Sequence, residues 1–174
     1  CLGMEAFMNT KKICMTGLFM ALICVATLFF KISIPGGYAH LGNGFIFLAS
    51  ALLGNVGGMI AAGAGSALAD LFGGYYMWLL PTLIIKCIMG FVVAFIAPKK
   101  FTLKSPRTLI AVIIGTAEMV AGYFIAGIFI MDTAAASVTQ IPGLVTEDIV
   151  GIAVFYFVGF AIEKSNAVRL IQNG

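Results

Sequence analysis

Two long stretches of the chain contain no charged side chain, and they limit what the chain can fold into. Residues 13–30 are uncharged, and residues 39–69 carry no formal charge. A helix needs about 20 predominantly apolar residues to cross the hydrocarbon core of a bilayer. Only 10% of the 174 residues are charged, which is too few to cover a soluble fold. The sequence therefore predicts a multi-pass membrane protein and excludes a soluble enzyme, a nucleic-acid binder and a disordered chain.

Breaks in the apolar pattern divide the chain into six predicted transmembrane helices. The uncharged stretch from residue 39 is too long for one span, and the segment Gly54-Asn55-Val56-Gly57-Gly58 divides it. Pro35-Gly36-Gly37 is predicted as a turn, and residues 132–143 are predicted as a polar loop. The expected fold class is all-α, and residues 1–174 are expected to form a single transmembrane domain. The predicted helices cover about residues 13–30, 43–54, 57–72, 79–97, 108–131 and 145–163.

The basic residues are distributed unevenly among the segments that connect these helices. If the N-terminus is cytoplasmic, eight of the ten fall on the cytoplasmic side: Lys11, Lys12, Lys99, Lys100, Lys104, Arg107, Lys164 and Arg169. Cytoplasmic loops of membrane proteins carry an excess of Lys and Arg. We therefore expect both termini to be cytoplasmic. An alternative role for the basic loop at 98–107 is recognition of anionic lipid.

Ionisable residues within the predicted helices, or at their ends, are candidate functional residues, because inserting each one costs roughly 2.5–3.5 kcal/mol. They are Asp70, Lys86, Glu118, Glu147 and Asp148. Glu118 lies near the middle of its helix, and pairing with Lys86 is the simplest way to compensate both charges. Asp70 is either a ligand acceptor or a carboxylate that faces the outer water at a helix end.

Trp78, Thr82 and Lys86 are spaced by four residues and therefore share one face of a helix. An aromatic plane, a hydroxyl and a cation in one row suit a flat polar heterocycle. Alternatively, Trp78 and the nearby Tyr75 anchor the helix at the membrane interface. The alternative for Lys86 is that its long side chain extends to that interface. His40, the single histidine, is either a ligand contact or a residue of a hydrated loop.

No set of residues in the sequence indicates catalysis. There is no GK[ST] phosphate-binding motif, and the four cysteines do not have the spacing of metal ligands. Gly63-Ala64-Gly65-Ser66 superficially resembles an intramembrane serine protease motif, but no histidine follows the serine to act as its base. We therefore expect no enzyme activity, no cofactor and no metal.

Several blocks of sequence resemble a known family of membrane proteins. The blocks are Leu41-Gly42-Asn43-Gly44, Ile46-Phe47-Leu48-Ala49-Ser50-Ala51-Leu52-Leu53-Gly54, Gly65-Ser66-Ala67-Leu68-Ala69-Asp70-Leu71, Tyr75-Tyr76, Pro81-Thr82-Leu83-Ile84-Ile85-Lys86 and Gly122-Tyr123-Phe124. With these blocks the chain is similar, over essentially its whole length, to the substrate-binding S components of energy-coupling factor (ECF) vitamin transporters, in the small riboflavin-type and hydroxymethylpyrimidine–pyridoxine-type group.

The resemblance implies a multi-pass subunit of the bacterial cell membrane that captures a water-soluble vitamin or precursor from outside. Its implied partners are the lipid bilayer, the vitamin-like molecule, a membrane coupling subunit and two cytoplasmic ATPase subunits. Asn43 stands where an acidic residue is common, and Glu147 follows Pro142-Gly143-Leu144 where relatives often have Pro-Gly-Asn and then Gln. The family label therefore does not identify the vitamin, and pyridoxine or hydroxymethylpyrimidine suits the aromatic and carboxylate residues better than riboflavin.

Four other functions remain open from the sequence. They are a self-sufficient vitamin permease or small channel, a riboflavin-specific S component, a purely structural subunit and a membrane enzyme. Uptake by the chain alone in liposomes would favour the permease, whereas a structural subunit would bind no vitamin.

The expected binding site lies between the outer halves of the last three predicted helices and the loop at 31–43. The residues predicted to bind substrate are His40, Asn43, Asp70, Tyr75, Trp78, Thr82, Lys86, Glu118 and Glu147. Gly17 and Ala21 form a small-xxx-small patch that is predicted to dock the coupling subunit, and packing inside the monomer is the alternative. Residues 33–42 are predicted to act as a lid, and a connector of fixed shape is the alternative.

Overall fold

The structure is a computed structural model, and it describes residues 10–34, 37–165 and 167–172. Helices dominate the described part of the chain, and two short strands follow the first helix. In chain order the elements are α1 (Thr10–Phe29), β1 (Lys31–Ile34), β2 (Gly37–His40), α2 (Gly42–Gly73), α3 (Leu79–Ile96), α4 (Pro106–Ile130), α5 (Ala134–Val138), α6 (Ile141–Lys164) and α7 (Ala167–Gln172).

Among the described residues, five helical segments are long and apolar enough to cross a membrane. They are Thr10–Phe29, Gly42–Gly73, Leu79–Ile96, Pro106–Ile130 and Ala134–Lys164, the last of which combines α5 and α6. The prediction of a helical membrane bundle is therefore confirmed. The count of six helices is not confirmed, because the element α2 covers the region of two predicted helices and is interrupted at Gly54.

The backbone of α2 is broken at Gly54, within the segment predicted to divide the long apolar stretch. Gly54 has φ 76° and ψ −171°, a conformation that is essentially restricted to glycine. A Cβ atom on Gly58 would lie 2.6 Å from the Cα atom of Ser50. Eight residues of continuous helix would separate these positions by about 12 Å. The chain therefore turns back at Gly54, so that residues 42–53 and the segment that follows lie side by side.

The first half of α2 is buried on all sides. Residues 42–53 would extend about 18 Å along a helix, which is shorter than the hydrocarbon core. All of them except the half-buried Phe45 are buried, and α2 contacts α1, α3 and α6. Phe47, for example, is fully buried and meets Phe155 of α6 edge-to-face at 6.0 Å between ring centroids. A helix that is apolar on every side is stable only inside a bundle, and here it forms the centre of the core.

The connection from α1 to α2 contains an antiparallel hairpin where the sequence predicted only a turn or loop. Lys31 pairs with His40, and Ile34 pairs with Gly37. β2 lies against α6. Pro35 and Gly36 of the predicted turn lie outside the described residues. The hairpin therefore brings its last residue, His40, next to α6.

The segment predicted as a polar loop at 132–143 contains helix instead. Thr133 accepts a hydrogen bond from the backbone N–H of Ala136 at 3.1 Å and so caps α5. α6 then begins at Ile141, with Pro142 in its first turn, where proline removes no intrahelical hydrogen bond. α6 therefore begins four residues before the predicted start at residue 145.

Candidate functional site

A cavity of about 250 Å³ opens at one end of the bundle. It is formed by the end of α2, the connection to α3, the first turn of α3, the last turns of α4 and the start of α6. Aromatic and polar side chains make up most of its wall. The lining residues are Asp70, Tyr75, Trp78, Thr82, Tyr123, Met131, Gln140, Gly143, Leu144 and Glu147.

One wall of the cavity is aromatic. The rings of Trp78 and Tyr123 lie 5.7 Å apart between centroids and are tilted by 46°. The Tyr123 hydroxyl donates a hydrogen bond to Thr82 Oγ1 at 3.0 Å. That bond fixes the tyrosine ring against α3. The arrangement offers two aromatic faces and two hydroxyl groups to a bound molecule.

Behind this wall, the ammonium of Lys86 is buried and surrounded by acceptors. Its Nζ lies 2.7 Å from Asn43 Oδ1, 3.4 Å from Glu147 Oε1 and 2.9 Å from Met119 Sδ. It also lies 5.4 Å from the centroid of the Tyr123 ring. A lysine ammonium has three N–H donors. These three contacts therefore use the full donor capacity of Lys86.

Glu147 connects the cavity to the hairpin through His40. His40 Nε2 lies 3.0 Å from Glu147 Oε1, and His40 Nδ1 accepts a hydrogen bond from the backbone N–H of Gly42 at 3.1 Å. Because Nδ1 is an acceptor, the proton of the neutral ring is on Nε2, which donates to the carboxylate. The hydrogen bond and ion pairs of Glu147 among the described residues all go through Oε1. Glu147 also lines the cavity.

Asn43 extends the buried polar network to Asp148. Its Nδ2 donates to Asp148 Oδ1 at 2.8 Å and lies 3.3 Å from Met119 Sδ, while its Oδ1 accepts from Lys86. Asn43, Asp148 and Met119 are all almost completely buried. The network therefore holds α2, α3, α4 and α6 in register beneath the cavity.

The predicted pairing of Lys86 with Glu118 is wrong. Lys86 is paired with Glu147 and Asn43, and in the described part of the chain Glu118 Oε2 is buried with no hydrogen-bond partner. Glu118 also does not line the cavity. Both residues lie deep in their helices, but α6 brings the carboxylate of Glu147 directly to the ammonium, whereas Glu118 makes no hydrogen bond or ion pair with it.

The structure brings most of the other predicted site residues together. Five of them line the cavity: Asp70, Tyr75, Trp78, Thr82 and Glu147. Lys86 and His40 contact Glu147, and Asn43 contacts Lys86, so these three lie one or two contacts behind the wall. Gly17 and Ala21 do not line the cavity, and they lie on a partly exposed face of α1.

Several lining residues were not predicted to bind substrate, notably Tyr123, Gln140 and Met131. Tyr123 lies four residues after Met119, so the two share a face of α4. That spacing was visible in the sequence, but a methionine gives no signal of a polar site. Gln140 and Met131 lie in or beside the segment that was interpreted as a loop.

The types of side chain around the cavity limit what it can hold. Among the residues that the structure describes, no group of three or more His, Cys, Asp and Glu side chains is placed to hold a metal ion. The cavity instead combines an aromatic wall, hydroxyl groups and carboxylates, which suit a planar polar molecule.

Comparison with known proteins identifies the family of this chain. The sequence model described as "ECF-type riboflavin transporter, S component" matches residues 7–164. The chain belongs to this family. It is also 31% identical over 144 residues to a Pyrococcus woesei protein titled "Uncharacterized protein in gap 3'region", a match that covers 82% of this chain and 95% of the relative.

Membership of the ECF S-component family settles the broad class of this protein. It is a membrane-embedded transport subunit and not an enzyme. S components work with membrane and ATPase subunits and take a vitamin-like molecule as substrate. The resemblance read from the sequence blocks is therefore confirmed.

Proposed function

We propose that this S component captures a small, one-ring vitamin or precursor from outside the cell, with pyridoxine and hydroxymethylpyrimidine as the best candidates. The observation that supports this most directly is the cavity of about 250 Å³ with its aromatic wall. Sites for drug-sized ligands enclose roughly 300–1,000 Å³. A pyridine or pyrimidine with small substituents suits the smaller cavity, whereas the three fused rings of riboflavin do not.

The proposed substrate contacts are the cavity-lining side chains. Trp78, with Tyr123 or Tyr75, would stack against the ring, while Thr82, Asp70 and Glu147 would bind its polar substituents. Lys86, Asn43 and His40 would act one step further away, because their contacts hold Glu147 and the surrounding helices in place.

The proposed orientation puts the cavity on the outer side and both termini in the cytoplasm. The chain reversal at Gly54 supports six passes in sequence, since each half of α2 then runs in an opposite direction. Asp70 lies at one end of α2 and lines the cavity, whereas Lys99 and Lys100 follow the far end of α3. The basic residues and the cavity are thus at opposite ends of the bundle, as the positive-inside rule requires for a site that faces outward.

The proposed complex contains one membrane coupling subunit and two cytoplasmic ATPase subunits. The patch formed by Gly17 and Ala21 is the proposed docking surface for the coupling subunit. Gly17 is only half-buried, a Cβ atom there would meet nothing within 4 Å, and Ala21 is exposed. This face of α1 is therefore open within the described part of the chain, and small residues allow another helix to approach closely.

Two measurements test the proposed function. Titration of the purified chain with pyridoxine, hydroxymethylpyrimidine and riboflavin can be followed by fluorescence, because the only tryptophan of the sequence, Trp78, lines the cavity. We expect quenching by a one-ring vitamin. Uptake in vesicles should then require the coupling subunit and ATP. Uptake by the chain alone would contradict the S-component mechanism and favour a permease, and binding of no vitamin would favour a structural subunit.

A further inference from the structure

In the part of the chain that the structure describes, the polar wall of the cavity contains acidic side chains and no basic ones. Asp70 and Glu147 contribute carboxylates, and none of the described residues that line the cavity is Lys, Arg or His. Both carboxylate side chains are largely buried. Charge in a low-dielectric setting acts strongly on a bound molecule, because little water is present to screen it.

The nearest cation among the described side chains, Lys86, partly compensates the charge of Glu147 and offers no free N–H donor to a ligand. Lys86 has already directed its three N–H donors to Asn43, Glu147 and Met119, and only 2% of it is exposed. Its ammonium pairs with Oε1 of Glu147, the same oxygen that accepts from His40. These contacts hold Glu147 as a fixed carboxylate.

The buried carboxyl groups of Asp70 and Glu147 line the cavity, and that of Asp148 lies behind its wall, where it accepts from Asn43. His40 accepts a hydrogen bond at Nδ1 and is therefore neutral in this arrangement. The region attracts positive charge and opposes negative charge.

The aromatic wall has the same preference. The face of a tryptophan or tyrosine ring is electron-rich, and tryptophan attracts cations most strongly among the aromatic side chains. Trp78 and Tyr123 both line the cavity. Two independent features of the wall, its carboxylates and its ring faces, therefore favour the same kind of ligand.

We propose that the site selects its substrate by positive charge, taking a one-ring nitrogen heterocycle that carries a protonated nitrogen and excluding carboxylated or phosphorylated forms of the same ring. Asp70 and Glu147 are the groups that receive the cation. This inference rests on the proposed function, since it concerns the substrate of the same cavity.

A matched series of pyridine compounds tests the proposal. Pyridoxamine, pyridoxine and 4-pyridoxic acid share one ring and differ at one carbon, which carries an aminomethyl, a hydroxymethyl or a carboxylate group. With the purified full-length chain and Trp78 fluorescence as the readout, we expect pyridoxamine to bind at least about tenfold more tightly than pyridoxine, as for a hydrogen bond to a charged group. We expect the acid to bind most weakly.

Variants that each remove one charge identify the residues responsible for the preference for a charged ligand. Asp70→Asn and Glu147→Gln should each reduce the preference for pyridoxamine over pyridoxine by about tenfold or more. The control is Asp132→Asn, which removes the same charge from an exposed residue near the cavity that does not line it. Asparagine also tolerates the positive φ of 59° at this position. This variant should leave the preference unchanged.

The outcomes separate this proposal from the proposed function. Equal or tighter binding of 4-pyridoxic acid, or tightest binding of riboflavin, would overturn selection by charge while leaving vitamin capture in place. If none of these compounds binds, the charge proposal is also wrong. If no vitamin of any kind binds, the proposed function is wrong too. The wild-type series decides the matter even if Glu147→Gln does not fold.

Discussion

A lysine buried beside a carboxylate, as Lys86 is beside Glu147, stabilises several helices at once through its charge. The contacts of Lys86 join α3 to Asn43 of α2, to Met119 of α4 and to Glu147 of α6. Removing one partner of a buried pair leaves the other charge without compensation, which typically costs about 3–5 kcal/mol. Lys86 therefore connects all four of these helices beneath the cavity.

We predict that Lys86→Met lowers the free energy of unfolding by about 3 kcal/mol or more. Methionine keeps most of the volume but removes the ammonium, so the buried carboxylate loses its partner. Unfolding with sodium dodecyl sulfate in mixed micelles measures this change. Lys104→Met is the control, because Lys104 is exposed. Equal stability of the two variants would show that the buried pair contributes little.

We predict that Glu118→Gln changes affinity for the substrate by no more than about twofold, the usual range for a substitution that removes no contact. Glu118 neither lines the cavity nor pairs with Lys86. Titration followed by Trp78 fluorescence measures this affinity. A tenfold loss in a folded variant would return Glu118 to the site, as the sequence suggested.

At the scale of the elements, the fold depends on the break in α2. A residue other than glycine at Gly54 would have to adopt φ 76° and ψ −171°. A Cβ atom there would meet nothing within 4 Å. Any destabilisation at this position would therefore come from backbone strain alone.

We predict that Gly54→Ala lowers the free energy of unfolding by about 1–3 kcal/mol. Gly17→Ala is the matched control, because its added methyl group would also meet nothing within 4 Å and Gly17 lies within α1. Alanine is favoured over glycine in a helix by about 1 kcal/mol, so the isolated subunit should become slightly more stable with Gly17→Ala. Similar effects of both substitutions would argue against strain at Gly54.

The hairpin is the element placed to respond to a ligand, since His40 at the end of β2 contacts Glu147 in the cavity wall. We predict that vitamin binding slows hydrogen exchange of the backbone amides in β1 and β2. Mobile segments over a pocket commonly close on the bound molecule. The loop at 98–107, at the opposite end of the bundle, should exchange at the same rate with and without vitamin. Equal exchange of the hairpin in both states would make it a connector of fixed shape.

For the molecule as a whole, the described exposed surface is rich in large apolar side chains, as a bilayer requires. The open patch at Gly17 and Ala21 differs from the rest of this surface because its side chains are small. Close helix contact in lipid depends on such small side chains, because apolar surface alone gives no preference for protein over lipid.

We predict that Gly17→Leu combined with Ala21→Leu prevents assembly with the coupling subunit and leaves vitamin binding intact. The bulky side chains would fill the patch without touching the cavity. Ala117→Leu combined with Ala121→Leu is the control, since these two alanines are also exposed and four residues apart, on α4. Co-purification of the subunits measures assembly. Normal assembly of the α1 variant would show that the complex forms elsewhere.

The sequence by itself determined the membrane class, the positions of most helices and the residues that line much of the cavity. These follow from local properties: long uncharged stretches demand helices in lipid, and ionisable residues such as Asp70 and Lys86 are too costly there to be incidental. The division near Gly54 was also visible, because glycine clusters interrupt an apolar pattern.

Only the tertiary structure decided which groups meet. The sequence shows that Lys86 needs an anion, but Glu118 and Glu147 are equally plausible until the rotation of α4 and α6 about their axes is known. The hairpin next to α6, the reversal that places Ser50 beside Gly58, and the approach of Tyr123 to Thr82 depend in the same way on packing between distant segments. Spacing along one helix identifies a face, and only the bundle determines what that face contacts.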